Sequence, residues 1–221
     1  MKREPRFMPI DLRSWNRGEV FWYYSQMAPT GYSMTVKLDV THMKACLKAA
    51  GKKFFPAYLW LVTKVLNEQM EFRIAQKDGQ VGYYDYLTPL CAHFHQEEKI
   101  FSLMWTEYDP DFAVFHQAYL DNQRQYGHNK GVLCQAGQLP PPNAYTVSCV
   151  PWIHFEHFAV HSYESKPYYF PSVEAGKIQE ENGRLMMPLS VTCHHAATDG
   201  YHVRVFLDKL QREMDDFEKY V

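Results

Sequence analysis

His194-His195-Ala196-Ala197-Thr198-Asp199-Gly200 joins an apolar, strand-like run to an amphipathic helical pattern. The run before it, Arg184 to Cys193, is rich in Leu, Met and Val, which is typical of a strand with little water on either face. The segment after it places six apolar residues on one helical face: Val203, Phe206, Leu207, Leu210, Met214 and Phe217. We therefore predict that His195 ends a strand and that Asp199-Gly200 forms the turn that starts a helix.

Three interpretations of the paired histidines are open, and only one of the two can face a given cleft, because neighbouring strand side chains point to opposite faces. In the first, both are hydrogen-bonded core residues and Asp199 caps the helix. In the second, His195, Asp199 and His202 bind a metal, since their spacing is that of one helical face. Gly200 and the preceding strand argue against a continuous helix there, and no separate cysteine or acidic cluster completes such a site. In the third, His195 is a general base, because histidine titrates near neutral pH.

The composition is that of one well-packed domain. The chain has 221 residues, of which 46% are hydrophobic and 16% aromatic, enough for a single core of α/β size. A net charge of -2 gives no reason to expect a nucleic acid or an anionic membrane surface as a partner. We find no long apolar run that predicts a transmembrane helix and no signal peptide at the start. The five scattered cysteines form no C-x-x-C pair, so we expect reduced thiols in the cytoplasm.

Local patterns predict alternating strands and helices. Met34 to Val40 alternates apolar and polar residues, as a half-buried strand does. Thr41 is placed to cap a short helix that ends at Gly51, and Asp78-Gly79 predicts a hairpin turn.

The second half of the chain continues in the same way. Pro110 to Tyr126 predicts a helix with Phe112, Phe115, His116 and Tyr119 facing inward, and further strands are expected near Tyr145–Val150 and His154–Ser162. We therefore predict one α/β domain over residues 1–221. It is a two-layer sandwich with a mostly antiparallel mixed sheet and helices packed on it.

Several segments resemble those of chloramphenicol acetyltransferases. The His-His-x-x-x-Asp-Gly core, here His194 to Gly200, is shared by a wider superfamily of CoA-dependent acyltransferases. The segments that narrow the resemblance are Trp15-Asn16-Arg17-Gly18-Glu19, Pro29-Thr30-Gly31-Tyr32-Ser33, Lys53-Phe54-Phe55-Pro56, Phe101-Ser102 and Ser148-x-x-Pro151-Trp152. Their order and spacing and the chain length agree with that family over essentially the whole sequence.

The resemblance implies transfer of an acetyl group from acetyl-CoA to a hydroxyl of a small molecule, first of all the 3-hydroxyl of chloramphenicol. His195 matches the family's general base and Ser148 its oxyanion hydroxyl. Arg17 and Asp199 match a pair that holds the site together, while the backbone orients the imidazole. No metal is expected.

The resemblance also concerns binding and assembly. Lys53 and Lys177 match positions near the CoA end. Aromatic candidates for an acceptor pocket are Tyr23, Tyr24, Tyr32, Phe101 and Trp105. The family's active site lies between the subunits of a trimer, so a homotrimer is expected.

Some residues depart from the family pattern. Glu174 stands where the family usually has Thr, and Thr192-Cys193 stands where it usually has Gln-Val. Tyr23, Ala28, Thr30 and Tyr32 replace Leu, Cys and Phe types in the antibiotic pocket. A carboxylate at position 174 adds negative charge close to a forming oxyanion unless it is turned away or protonated. We therefore expect chloramphenicol to be acetylated measurably but with reduced efficiency.

Other functions stay open at this point. The pocket changes favour an acetyltransferase for a different hydroxylated small molecule. Glu174 alone favours a non-catalytic family member that binds a ligand or CoA. A catalytic core of a larger acyltransferase is a further alternative, against which we find no lipoyl segment and no linker.

Overall fold

Strands and helices alternate along the chain in this computed structural model, which describes residues 4–135, 137–161 and 168–221. The strands are β1 (Phe7–Pro9), β2 (Gly31–Asp39), β3 (Ile74–Lys77), β4 (Gln80–Tyr84), β5 (Thr88–His95), β6 (Ile100–Trp105), β7 (Ala144–Val150), β8 (Ser172–Gly176), β9 (Gln179–Glu181) and β10 (Arg184–His194). The helices are α1 (Gly18–Trp22), α2 (Thr41–Ala49), α3 (Phe54–Leu66), α4 (Phe112–Tyr126) and α5 (Gly200–Asp215). A π-helical turn, Tyr23–Met27, continues α1, and 3-10 turns span Met70–Arg73 and Phe217–Tyr220.

The main sheet is mixed, with the strand order β2-β10-β8-β7-β5-β6 and β9 paired to β10. β10 runs antiparallel to β2, β8 and β9, whereas β7 runs parallel to both β5 and β8. A small antiparallel sheet has the order β1-β4-β3. The predicted α/β architecture with a mostly antiparallel mixed sheet is therefore confirmed.

Helices cover one face of the main sheet and form the core with it. α3 buries ten residues, among them Tyr58 and Trp60, which are completely buried. Burial of such a side chain contributes roughly 1.5–3 kcal/mol. α5 buries Val203, Phe206, Leu210 and Met214 on the predicted apolar face. Phe217 is buried as well, but it lies in the 3-10 turn that follows α5.

β10 is buried on both faces over its middle five residues, Met187 to Val191, as its apolar sequence predicts. Residues 153–161, here called the cover segment, lie over the face that points away from the helices. The Ser190 hydroxyl donates to the Phe158 carbonyl oxygen at 2.5 Å, and the Val160 N–H donates to Thr192 Oγ1 at 3.4 Å. Polar strand side chains thus hold the cover segment in place.

Two sequence predictions about this region and α2 are wrong. Residues 154–161 form no strand, and the backbone N–H groups of Phe158 and Val160 donate to threonine side chains of the sheet rather than to a neighbouring strand's backbone; Ser162 lies outside the described residues. Thr41 is the first residue of α2 and not its cap. Val40 takes the capping position, and the Asp39 carboxylate before it supports the helix start, since Oδ1 accepts from the Thr41 N–H at 2.9 Å and from its hydroxyl at 2.6 Å.

The hairpin between β3 and β4 is confirmed. Asp78 and Gly79 have φ values of 50° and 79°, which is the left-handed pair that a two-residue type I′ turn requires. No helix in the described ranges is long and apolar enough to cross a bilayer.

Candidate active site

His195 directly follows β10, at the start of the short turn that leads into α5. Its backbone N–H donates to the Thr30 carbonyl oxygen at 2.8 Å. Its imidazole Nδ1 lies 3.1 Å from the Thr198 carbonyl oxygen. A carbonyl oxygen only accepts, so Nδ1 carries the proton and Nε2 of the neutral ring keeps a free lone pair. The backbone therefore fixes the orientation of this imidazole and leaves the Nε2 lone pair without a partner among the described residues.

Two tyrosines surround the His195 ring. The Tyr24 ring stacks on it with the centroids 4.0 Å apart and an interplanar angle of 21°. Tyr32 meets it edge-on at 5.2 Å, and its hydroxyl donates to Thr198 Oγ1 at 3.2 Å. The two tyrosine rings therefore hold the His195 imidazole in a fixed orientation.

The mostly buried Arg17 side chain holds the turn between β10 and α5, and its contacts are here called the clamp. Its guanidinium donates to Asp199 Oδ2 at 2.7 Å, to the His195 carbonyl oxygen at 2.9 Å and to the Ala196 carbonyl oxygen at 3.0 Å. The guanidinium fixes both ends of the turn, because it bonds His195 at the start and Asp199, the cap of α5, at the end.

Asp199 has two functions in the structure. It caps α5, with Oδ1 accepting from the Tyr201 N–H at 3.0 Å, and it pairs with Arg17. Burial opposes its ionisation, but the Arg17 guanidinium and His202 outweigh burial and hold the pKa of Asp199 below its ordinary value. Asp199 lies against the helix start and the clamp, and the imidazole Nδ1 is bonded to Thr198 instead.

His194 faces the opposite way and is not available as a base. Its Nδ1 accepts from the Ala196 N–H at 3.2 Å, and the Tyr169 ring meets it edge-on at 4.9 Å. Burial, together with the neighbouring His195, lowers the pKa of His194. The prediction that only one of the paired histidines faces a cleft agrees with this geometry.

Ser148 lies on β7, on the sheet face under the cover segment. It pairs directly with Glu174 on β8, and Glu174 pairs directly with Ser190 on β10. Directly paired residues share a face, so these three side chains form one row, here called the Ser148 row. The Ser148 hydroxyl makes no hydrogen bond to any other residue that the structure describes. It is therefore free to donate to a ligand.

Within one chain, Ser148 and His195 lie far apart. His195 is five residues beyond Ser190 along the strand direction, which is about 16 Å, and Ser148 is two strands away from Ser190, which is about 10 Å. The separation is therefore about 19 Å. A serine and a histidine side chain cannot meet across such a gap. The predicted site residues thus fall into two separate groups, one around His195 and one around Ser148, which are here called half-sites.

Comparison with known proteins places the whole chain in one family. A sequence profile described as chloramphenicol acetyltransferase matches residues 6–211. A chloramphenicol acetyltransferase of Campylobacter coli is 40% identical over 207 residues, covering 93% of this chain and 97% of that protein. One from Vibrio anguillarum is 37% identical over 215 residues, covering 97% of each. The chain belongs to the chloramphenicol acetyltransferase family. A solved chloramphenicol acetyltransferase structure has a TM-score of 0.81 at 26% identity, covering 95% of this chain and all of that one.

The other site residues predicted for this acetyltransferase are divided between the two half-sites. Tyr23 is exposed and packs edge-on against Tyr24 at 5.0 Å, on the His195 side. Thr30 is on that side as well, and its hydroxyl donates to the Ala28 carbonyl oxygen at 2.7 Å. Phe101 lies on β6, at the far edge of the sheet, where it pairs with Phe94.

The two lysines predicted near CoA are exposed in this family member. Lys53 precedes α3 and Lys177 follows β8, and neither forms an ion pair with another described residue. Trp105, suggested as a pocket residue, is buried.

The metal interpretation is not supported in this acetyltransferase. His202 Nδ1 lies 2.9 Å from Asp199 Oδ1 within the helix cap, whereas the His195 imidazole is bonded to Thr198. In the described ranges, the set of metal-ligand side chains that does converge is His42, Cys46 and Glu218 on α2 and the C-terminal turn. It takes in none of the residues of either half-site.

Sequence reasoning left two features of the His195 ring unidentified. The resemblance implied that the backbone orients the imidazole, but not that the Thr198 carbonyl does so, and Tyr24 was named as a candidate pocket residue without its stacking on the ring. The signal for the first was the fixed three-residue spacer between His195 and Asp199, which sets where that carbonyl points. The second carries no local signal, since 171 residues separate Tyr24 from His195 in the sequence.

Replacing Arg17 by alanine is expected to lower the free energy of unfolding by about 2–3 kcal/mol, because three charge-assisted hydrogen bonds are lost. The effect is measured by denaturant unfolding. Arg13→Ala removes an exposed arginine from the same segment and is expected to change stability by less than about 0.5 kcal/mol. Equal effects of the two substitutions would contradict the clamp.

Proposed function

We propose that this protein transfers the acetyl group of acetyl-CoA to the 3-hydroxyl of chloramphenicol. The observation that carries the proposal is the His195 imidazole, whose Nδ1 is bonded to the Thr198 carbonyl and whose Nε2 is free to accept a proton. Membership in the chloramphenicol acetyltransferase family and the names of its relatives support the substrate. The chain acts as a single acetyltransferase domain.

His195 is the general base in this mechanism. Nε2 takes the proton of the acceptor hydroxyl as its oxygen attacks the carbonyl carbon of the thioester, which avoids a free alkoxide at neutral pH. The Tyr24 ring, which stacks on the imidazole at 4.0 Å, holds it in this orientation. When the tetrahedral intermediate breaks down, Nε2 returns the proton to the departing CoA sulfur. The products are an acetyl ester and free CoA thiol, and no acyl-enzyme is formed.

Ser148 stabilises the negative charge that forms on the carbonyl oxygen. Its hydroxyl has no partner among the described residues, so it can donate to the oxyanion without giving up an existing hydrogen bond. A donor already in place costs little reorganisation during the reaction, and that is the source of its effect on the rate. Arg17 and Asp199 are positioning residues, since they contact the turn and not the reacting atoms.

Both groups act on one substrate only when two copies of the chain meet. The half-sites of one chain are about 19 Å apart, whereas a base and an oxyanion donor must both lie within about 3 Å of the reacting atoms. The site therefore forms where the His195 half-site of one subunit faces the Ser148 half-site of another. This contact joins two different surfaces, and such contacts build either rings or open filaments. We propose that here they close into a ring of three subunits.

Exposed apolar residues border both half-sites and support this contact. Trp22, Tyr23 and Met27 are exposed beside the Tyr24 and His195 stack. Phe101 and Trp152 are exposed on the other side, where Trp152 packs against Phe94 at 4.9 Å. Large apolar side chains clustered at a surface typically mark a protein interface.

The donor substrate is proposed to bind with its phosphates near Lys53 and Lys177. Both side chains are exposed and free of ion pairs with described residues, and lysine acts on a phosphate as a flexible point charge. We place the reaction in the cytoplasm, because the five cysteines are all free and suit a reducing compartment. No resident metal takes part in this mechanism.

A second candidate function is acetylation of a more polar hydroxylated molecule, and Glu174 is the observation that favours it. The hydroxyls of Thr30 and Tyr32, which are also unusual for the family, are already bonded to Ala28 and Thr198. These two hydroxyls therefore need no hydrogen-bond partner from a bound acceptor. The buried Glu174 carboxyl, directly paired with Ser148, is the remaining departure beside the proposed reaction site.

The experiment is thiol release from acetyl-CoA in the presence of chloramphenicol. We expect release at a rate that saturates with chloramphenicol and none with chloramphenicol already acetylated at the 3-hydroxyl. A panel of other primary and secondary alcohols tests the second candidate. Release with one of these and none with chloramphenicol would overturn the proposed acceptor, and no release with any alcohol would overturn the enzymatic function.

A further inference from the structure

Glu174 has one carboxyl oxygen without a partner. The side chain is 2% exposed, in the middle of the Ser148 row. The Ser172 hydroxyl donates to Oε1, whereas Oε2 is buried and has no hydrogen-bond partner in the described ranges. A buried polar atom without a partner costs free energy. Oε2 is therefore poised to form a hydrogen bond with something that enters the site.

Burial decides the charge of this carboxyl. It raises the pKa of Glu174 from 4.5 to about 7, and the Ser172 hydrogen bond offsets that rise only in part. The titratable groups that act on it from the packed elements are Tyr58 on α3 and Cys193 on β10. Both are neutral, because burial raises the pKa of Cys193 to about 12 and that of Tyr58 well above its ordinary value.

No titratable group of the cover segment acts electrostatically on the Glu174 carboxyl. His154 Nδ1 lies 2.9 Å from the Lys177 carbonyl oxygen, and the side chains of Glu156, His157 and His161 are exposed to solvent. With no cation of the described residues bonded to it, the carboxyl keeps its neutral form up to a pH of about 7. Since Oε1 accepts from Ser172, the proton belongs on Oε2.

We propose that Glu174 is a further catalytic residue, a neutral carboxylic acid whose Oε2–H donates a hydrogen bond to the oxyanion beside Ser148. The inference rests on the proposed function of the Ser148 half-site. Glu174 and Ser148 are directly paired across adjacent strands, so their side chains are about 5 Å apart and point to the same face. Two donors on one face can both reach a single oxygen. The proton stays on Glu174 throughout, and no bond to it is made or broken.

Such a donor works only while it is protonated. As the pH rises through about 7, Glu174 loses its proton and the donor becomes an anion beside the oxyanion, which raises the barrier. Glu174→Gln keeps the shape and supplies an N–H₂ donor that does not titrate. Glu174→Thr removes the carboxyl altogether.

The experiment compares kcat against pH for the parent, Glu174→Gln and Glu174→Thr in the thiol-release assay. We expect the ratio of the parent's kcat to that of Glu174→Gln to fall by about half at pH 7 and by about tenfold at pH 8, relative to pH 5.5. The parent is expected to be faster than Glu174→Thr at pH 5.5 and slower at pH 8.5. Glu180→Gln, which removes an exposed carboxylate on β9, should follow the parent. Parallel profiles of all variants would overturn the proposal.

A second measurement does not depend on turnover. In the folded protein Glu174 binds its proton more tightly than in the unfolded chain, so its contribution to stability is full below pH 4.5 and is lost as the pH rises through about 7. The melting temperature of the parent relative to Glu174→Gln should therefore fall across that range. If the melting temperature falls in this way but no variant transfers acetyl groups, the proposed function is overturned while the assignment of a neutral carboxyl at Glu174 stands. A constant difference in melting temperature would overturn the neutral carboxyl itself.

Discussion

Replacing His195 by alanine is expected to lower kcat for acetyl transfer by about 10²–10⁴-fold. The variant keeps the β10 strand and the Arg17 contacts, because these involve the backbone of the turn and Asp199 and not the imidazole. What it loses is the acceptor of the hydroxyl proton. Thiol release with saturating chloramphenicol and acetyl-CoA measures the effect.

Two controls separate the loss of a base from a general defect. His128→Ala removes an exposed histidine and should retain the parent's kcat. Titration of His195→Ala with CoA should give an affinity close to that of the parent. Activity of His195→Ala within tenfold of the parent would remove His195 as the base.

Replacing Ser148 by alanine is expected to lower kcat by about 10²–10³-fold with little change in KM, because an oxyanion donor acts mainly in the transition state. The matched control is Ser33→Ala, which removes a strand hydroxyl that is bonded to Thr192 Oγ1 at 2.8 Å. That variant should keep its kcat. A Ser148→Ala effect confined to KM would assign Ser148 to ground-state binding instead.

Elements with a strong apolar period could be predicted from the sequence. The four residues predicted to face inward on α4 are its buried residues: Phe112, Phe115, His116 and Tyr119. β10 and α5 likewise follow from local pattern, because burial of a single face or of both faces leaves a direct trace in the residue types. The position of His195 between them was predictable for the same reason.

The pairing of strands could not be predicted in the same way. β10 lies between β2 and β8, and β2 is more than 140 residues earlier in the chain. Local periodicity carries no information about which strands become neighbours. The strand expected near residues 154–161 does not form, since this segment contacts the Thr35, Ser190 and Thr192 side chains and pairs with no strand.

The candidate site was predictable in its residue types and not in its arrangement. Arg17 and Asp199 were matched as a pair through the family resemblance, and their side chains meet at 2.7 Å. The separation of Ser148 from His195 follows only from strand order and register. The position of Glu174 in the middle of the Ser148 row also follows only from strand order and register. Its burial there raises the pKa of its carboxyl to about 7.

The central claim is that His195 of one subunit and Ser148 of another act on the same substrate. It is tested most directly by co-expressing His195→Ala and Ser148→Ala subunits, each of which alone is expected to form a nearly inactive protein.

In a randomly mixed ring, about a quarter of the interfaces join an intact His195 to an intact Ser148. We therefore predict that the mixture recovers about a quarter of the parent's kcat per site. As a control, untagged and Arg-tagged His195→Ala subunits are co-expressed, and this mixture should recover no acetyl-transfer activity. Activity of the co-expressed pair no higher than that of the separate variants would show that the two residues do not share a site across subunits, and would contradict the claim.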